Sequence, residues 1–162
     1  MALNAYLRLT GETQGEMKGS VTQAGRQDSI EVIAYNHRID SPRDAASGMA
    51  TGKRKHSAIT ITKEIDKSTP LLANALYHNE NITAWELQFW RPSRSGKEEQ
   101  FFTIHLTNAT VSEYRPSMLN NKLPENMRLP EFEHVSFAYQ KIRFTWVDGA
   151  ITAEDDWETP IF

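Results

Sequence analysis

The sequence predicts a mainly-β fold: a compact two-sheet β-barrel or sandwich with one short α-helix at about residues 70–78 and a long loop at about residues 41–56. Three observations carry this. Six or more stretches alternate apolar and polar residues with the period of a pleated strand. Only one stretch places apolar residues at helical spacing, and between Ser41 and His56 the hydrophobic period disappears. With 162 residues, of which 39% are hydrophobic, the chain suits one domain spanning 1–162 with a sizeable core.

Taken in order, Leu3, Ala5, Leu7 and Leu9 alternate with polar neighbours, which predicts a half-buried first strand. Gly11 to Gly25 is glycine-rich and reads as turns. From Asp28 to Ile39 apolar groups occupy both parities, so this strand needs a cover on each face. Ser41 to His56, with Pro42, Gly48 and Gly52, is the long loop, and long loops in compact domains tend to carry function.

Ile59, Ile61 and Ile65 share one parity and predict a strand with that face inward. Thr69 followed by Pro70 then signals a helix start, the threonine hydroxyl accepting from a free amide of the first turn. Leu72, Ala75 and Leu76 give the helix one apolar stripe, and Asn79 is its left-handed stop. A helix of about nine residues is marginal alone, so it must lie on the β scaffold.

Ile82 to Trp90 is a strand ended by the turn residues Arg91 to Gly96. Gln100 to Tyr114 and Phe132 to Val147 each change parity midway, which predicts a β-bulge in each. Arg115 to Leu129 is a second loop. Asp148-Gly149 predicts a tight hairpin returning through Ala150 to Thr152, followed by an acidic tail with Trp157 and Phe162 as docking residues.

Eighteen basic and 21 acidic residues give a net charge of −3, which argues against nucleic acid as a partner. No apolar run approaches the roughly 20 residues of a membrane-spanning helix, so no membrane partner is expected. The N-terminus lacks a basic and long apolar leader, which predicts synthesis and folding in the cytoplasm and export, if any, without a conventional signal. The absence of cysteine excludes disulfides, zinc–thiolate centres and cysteine nucleophiles.

The search for chemistry is negative. His37, His56, His78, His105 and His134 show no metal-ligand spacing, so no metal or cofactor is expected. Glu64 and Asp66, flanked by Lys63 and Lys67, read as structural ion pairs, and Asp155-Asp156 as neighbours in sequence only. Gly48 to Arg54 fails the phosphate-loop pattern in its glycine spacing and in having Arg54 at the hydroxyl position. The run Lys53-Arg54-Lys55-His56 reads as a solvated or interfacial face. Trp85, Trp90, Trp146 and Trp157 read as core or subunit contacts. The residues favour a binding or structural protein over an enzyme.

Across nearly its whole length the chain resembles the Hcp family, the haemolysin-coregulated proteins of bacterial type VI secretion. The resemblance is carried by Lys18-Gly19-Ser20-Val21, Ser29-Ile30-Glu31-Val32, Pro42, Thr51-Gly52 and His56, then Phe102-Thr103, Pro116-Ser117-Met118, Tyr139-Gln140-Lys141-Ile142 and Asp148-Gly149. Its most specific part is the block from Thr62 to Pro70, with Lys63, Glu64, Asp66, Ser68, Thr69 and Pro70 as the family-motif structural residues. The resemblance implies a subunit of the inner secretion tube, a homohexameric ring that stacks on other rings, bears a VgrG-type spike, is driven by a contractile sheath and carries effector proteins in its lumen. It implies assembly in the bacterial cytoplasm and secretion by the type VI system. The loop would reach a neighbouring subunit or ring through Pro42, Arg43, Asp44, Met49, Thr51, Lys53, Arg54 and His56. No long insertion or added C-terminal domain is visible, which disfavours a fused toxin. The alternatives are a small secreted effector or enzyme using His37 or His134 with a carboxylate, and a monomeric ligand-binding β-barrel with a large internal cavity.

Overall fold

The computed structural model describes residues 1–158; Phe162 lies outside the described residues. The elements are Ala5–Gly11 (β1), Gly15–Glu16 (β2), Ile30–Val32 (β3), Ala34–Asn36 (β4), Ile39–Asp40 (β5), Lys55–His56 (β6), Ile59–Glu64 (β7), Thr69–Tyr77 (α1), Ile82–Pro92 (β8), Glu98–Thr107 (β9), Thr110–Ser117 (β10), Phe132–Ala138 (β11), Lys141–Trp146 (β12) and Ile151–Asp156 (β13). A seven-stranded sheet runs β13-β12-β9-β8-β1-β2, with β3 also on β1, and a four-stranded sheet runs β10-β11-β7-β4. Leu7, Leu9, Ile30, Trp85, Leu87 and Ile104 from the first sheet meet Ile59, Ile61, Val135 and Phe137 from the second, filling the interior that a ligand-binding barrel would leave open.

The chain passes directly from a strand of one sheet to a strand of the other at three points, besides the passage from β7 through α1 to β8, and two of these corners replace the two expected bulges. β3 pairs with β1, whereas β4, one residue later, pairs with β7. β9 lies in the large sheet and β10 in the small one, with Asn108 between them at φ 50°. β11 returns to the large sheet as β12 through Tyr139 and Gln140. Each parity change is therefore a corner of the sandwich, where a strand leaves one sheet for the other. True register shifts occur nearby, between Val111 and Glu113 and between Phe89 and Trp90.

The hairpin after β12 also differs from expectation. Positive φ falls on Gly149 and Ala150 rather than on Asp148, and β13 continues to Asp156, so the acidic residues Glu154, Asp155 and Asp156 are strand. Gly19 has a separate reason to be glycine: a Cβ there would stand 2.6 Å from the Ile30 Cα, inside the contact distance of two strands of backbone.

Helix α1 ends as the sequence predicts. Asn79 has φ 48°, its N–H donates to Leu76 O at 3.2 Å, and Glu80 N–H donates to Ala75 O at 2.9 Å, the paired bonds of a Schellman stop. The start differs. Ser68 is the N-cap residue and makes no side-chain cap, while the Thr69 hydroxyl turns away from the helix into a buried polar cluster.

That cluster is built on β7. Lys63 shares the inward parity of Ile59 and Ile61 and has 0% exposure, whereas Ile65, expected inside, is 48% exposed because the strand has ended at Glu64. Lys63 Nζ donates to Glu133 Oε1 at 2.5 Å and to Glu64 O at 2.8 Å, and stands 3.0 Å from Asp66 Oδ1. Glu133, its cross-strand partner on β11, is also fully buried. Its carboxylate accepts further bonds from Thr69 at 2.9 Å and from the Tyr114 hydroxyl at 2.6 Å. A buried ion pair survives desolvation only when its remaining hydrogen-bonding sites are filled, and these are.

Breaking this pair from one side leaves an uncompensated buried charge. Glu133→Ala or Lys63→Ala is expected to destabilise the fold by about 3–5 kcal/mol, whereas Lys63→Met combined with Glu133→Leu should cost much less than the sum. Urea unfolding of the wild type and these three variants measures the difference.

Candidate functional site

The long segment after β5 is an arm with its own hydrogen bonds rather than an unstructured loop. Asp44 N–H donates to Met49 O at 2.8 Å, Thr51 N–H to Pro42 O at 3.0 Å, and Arg43 bridges Ala50. The tip closes through Asp44, whose carboxylate accepts from Ser47 N–H at 2.8 Å and from its hydroxyl at 2.6 Å, which holds that carboxyl below its ordinary value. Almost every residue from 41 to 53 is exposed, and Met49 is 69% exposed at the tip.

The base of the arm is anchored. β6 pairs with β5, and beyond it the side chains of Arg54 and His56 reach β13. Arg54 grips Asp155 with Nε and an Nη donating at 2.7 and 2.6 Å, and His56 Nε2 lies 2.6 Å from the same carboxylate. On its other side His56 Nδ1 is 2.8 Å from the Tyr139 hydroxyl, which is also 2.7 Å from His37 Nε2. Lys53 Nζ donates to Trp157 O at 2.5 Å, and the Trp157 ring lies 5.3 Å from the His56 ring. Burial raises Asp155, but the bonds from Arg54 and His56 outweigh it and hold the carboxyl below its ordinary value. Burial, with the nearby Asp155 charge, pushes the Tyr139 phenol well up, so it stays protonated and serves as a hydrogen-bonding link rather than a nucleophile.

The outer face of the four-stranded sheet forms a groove of about 730 Å³. Cross-strand register builds it from two rows: Ala34, Thr62, His134 and Arg115, then Asn36, Thr60, Ser136 and Glu113. Thr60 and Ser136 are 2.8 Å apart, and Thr62 Oγ1 is 2.9 Å from His134 Nδ1. The face is therefore mostly small hydroxyl and amide groups, with one charge of each sign at the β10 edge. Edge strands β4 and β10 flank it, and exposed apolar residues stand beside both: Ile33 and Tyr35 on one side, Tyr77 and Met118 on the other.

Of the loop residues singled out from sequence, Pro42, Arg43, Asp44, Met49 and Thr51 belong to the exposed arm, whereas Lys53, Arg54 and His56 turn back to anchor it. Of the motif residues, Lys63, Asp66 and Thr69 enter the buried cluster; Ser68 bonds to Asp66 and Glu64 lends only its backbone carbonyl to Lys63. The histidine–carboxylate pairing expected of an enzyme is not made by His37 or His134, which bond to Tyr139 and Thr62. Among the described residues no group of three His, Cys, Asp or Glu side chains gathers as a metal site would need. Sequence reasoning missed Tyr139 and Asp155; the signal was there in Tyr139, which stands where the second parity change occurs.

Asp155→Asn keeps the shape of the anchor and removes its charge. Screened by solvent, the lost charge-assisted bonds are expected to weaken docking by about 1 kcal/mol, so the Ser57 and Trp157 amides should exchange about five-fold faster. Because folding lowers the Asp155 carboxyl, its contribution is complete above the ordinary value of 3.8 and is lost as pH falls through the lowered one. The variant should lack that acid-side loss in a pH titration of thermal stability.

The family described as "Type VI secretion system effector, Hcp" matches residues 6–146. The "Major exported protein" of Pseudomonas aeruginosa PAO1 is 35% identical over 170 residues, covering 99% of both chains. Among solved structures, a crystal structure of an Hcp protein superposes with a TM-score of 0.89 at 28% identity, covering 97% of this chain and 99% of the other. A doubly substituted Hcp1 from Escherichia coli EAEC 042 gives 0.85 at 33% identity, covering 96% and 99%. The sandwich fold and the match along most of the chain agree, and the chain belongs to the Hcp family of type VI secretion proteins.

Proposed function

We propose that this chain is a structural subunit of the type VI secretion tube: six copies close head to tail into a ring, rings stack through the arm, and the hydroxyl-lined face walls a channel that carries effector proteins. The observation that carries the reading is the small sheet itself. It has an edge strand on each side, exposed apolar residues beside both edges, and a polar concave face between them. Exposed edges must be paired or covered, and a cyclic head-to-tail contact covers the two different edges at once. Membership of the Hcp family supports the same reading.

A channel wall of hydroxyls and amides offers many weak hydrogen bonds and little apolar area, which suits cargo that is held during transit and released on arrival. Partners outside the tube follow from the same reading: a VgrG-type spike at the tip and a contractile sheath around the outside, with assembly in the bacterial cytoplasm and export without a signal peptide.

The test is the solution mass together with negative-stain images. The reading predicts particles of about six times 18.5 kDa with a central hole, and stacks at high protein concentration. Replacing Asp44 to Met49 with an Asn-Gly turn, which spares Arg54 and His56, should leave the melting temperature of the body within about 2 °C and abolish stacking. A monomer at every concentration, or normal stacks from the shortened arm, would overturn the tube or the arm assignment respectively.

A further inference from the structure

The hydrogen bonds that anchor the arm have a direction. Asp155, ionised and already accepting two bonds from Arg54, takes the Nε2–H of His56. A neutral His56 with its proton on Nε2 has only a lone pair on Nδ1, so the Tyr139 hydroxyl donates there, at 2.8 Å. The phenol oxygen then accepts from His37 Nε2–H at 2.7 Å. Every link has one proton and one acceptor.

One more proton fits without losing a bond. His56 becomes imidazolium, its Nδ1–H donates to the Tyr139 oxygen, and the phenol turns its own proton to His37 Nε2, whose hydrogen has moved to Nδ1. The new charge sits against Asp155. A second proton does not fit. With both rings charged, two N–H donors face one phenol oxygen, the phenolic proton has no acceptor in a residue only 6% exposed, and two cations share the same atom.

We propose that His37, Tyr139 and His56 form a two-proton latch that holds the base of the arm while at most one of the two imidazoles is charged and releases it when both are. As control over tube assembly this rests on the tube reading; as a property of the folded chain it does not.

The surroundings agree with the order of events. The groups facing the pair are Asp155 from β13, Arg54 and Lys53 from the arm, and the rings of Phe144 and Trp157. Arg54 and Asp155 offset each other, so each added proton raises the local positive charge. His56 stands 2.6 Å from the Asp155 carboxylate it shares with Arg54, while His37 has the Phe144 ring beside it. Burial first, and then the charge on His56, lowers His37 below its ordinary 6.5. The docked form therefore binds fewer protons than the released one. Docking is at full strength above about pH 6.5 and is lost as pH falls through the lowered value of His37.

The experiment is a pH titration from about 8 to 5 of the full chain with ¹⁵N-labelled histidine, read together with amide exchange at Ser57 and Trp157, corrected for intrinsic rates. Ser57 N–H donates to Arg38 O and Trp157 N–H to Gln140 O, so both report on the arm base. The latch predicts an Nε2–H tautomer for His56 at the start, two separated protonation steps, and exchange at least tenfold faster only with the second. His37→Gln keeps an amide donor towards Tyr139 and removes the second proton, so its exchange should stay flat. Should that variant fold poorly, Tyr139→Phe removes the shared oxygen and should make the two histidines titrate independently. Exchange that follows the first proton, stays flat in the wild type, or still accelerates in His37→Gln would overturn the latch. None of these readouts needs assembly, so a chain that builds tubes yet lacks the second step refutes the latch alone, and one that has the step yet builds none refutes only the tube.

Discussion

A lysine and a glutamate that cannot reach water set the geometry of this molecule. Lys63 and Glu133 sit directly opposite on β7 and β11, so a one-residue slip between these strands would leave both charges unpaired and turn Thr60 and Thr62 inward. The same carboxylate takes Thr69 at the start of the helix and Tyr114 on β10. Strand register, helix position and the third strand of the small sheet are thus tied to one polar centre. Apolar burial supplies much of the driving force for folding, but it is non-directional; the ion pair makes one arrangement differ from its neighbours.

With that register fixed, the two faces of the small sheet acquire opposite characters. Ile59, Ile61, Val135 and Phe137 go to the core, and Thr60, Thr62, His134 and Ser136 go out. The three corners where one strand leads directly into a strand of the other sheet, at Ile33, at Asn108 and at Tyr139-Gln140, keep the two sheets parts of one body. The arm leaves next to one of these corners and is fastened to another through His56 and Tyr139, so its direction is a property of the body.

Alternation along the chain was enough to find most strands, and the Leu72, Ala75, Leu76 stripe with Asn79 was enough to find the helix and its end. Parity changes were legible too, but not their meaning: periodicity reports that a strand turns over, not whether an inserted residue or a move to another sheet did it. The helix start differs because the Thr69 hydroxyl donates to a carboxylate 64 residues away and accepts from the Asp66 N–H before the helix, rather than from an amide of the first turn. The same distance effect hid the site. His37, His56, Tyr139 and Asp155 are far apart in sequence, and no local spacing rule connects them. The arm was visible as a stretch without hydrophobic period, whereas the bonds that pair its two sides, Asp44 with Met49 and Thr51 with Pro42, are backbone to backbone and leave no side-chain pattern.

The central claim is that a rigid body with a hydroxyl-lined face and an anchored arm builds its assembly by repeating itself. Electron cryo-microscopy of the assembled protein tests it most directly, at a resolution that places side chains. The account predicts a channel walled by Asn36, Thr60 and Ser136, with each arm lying on a neighbouring copy while His56 still holds it to its own body. An assembly with that face turned outward, or with every arm free of its neighbours, would contradict it.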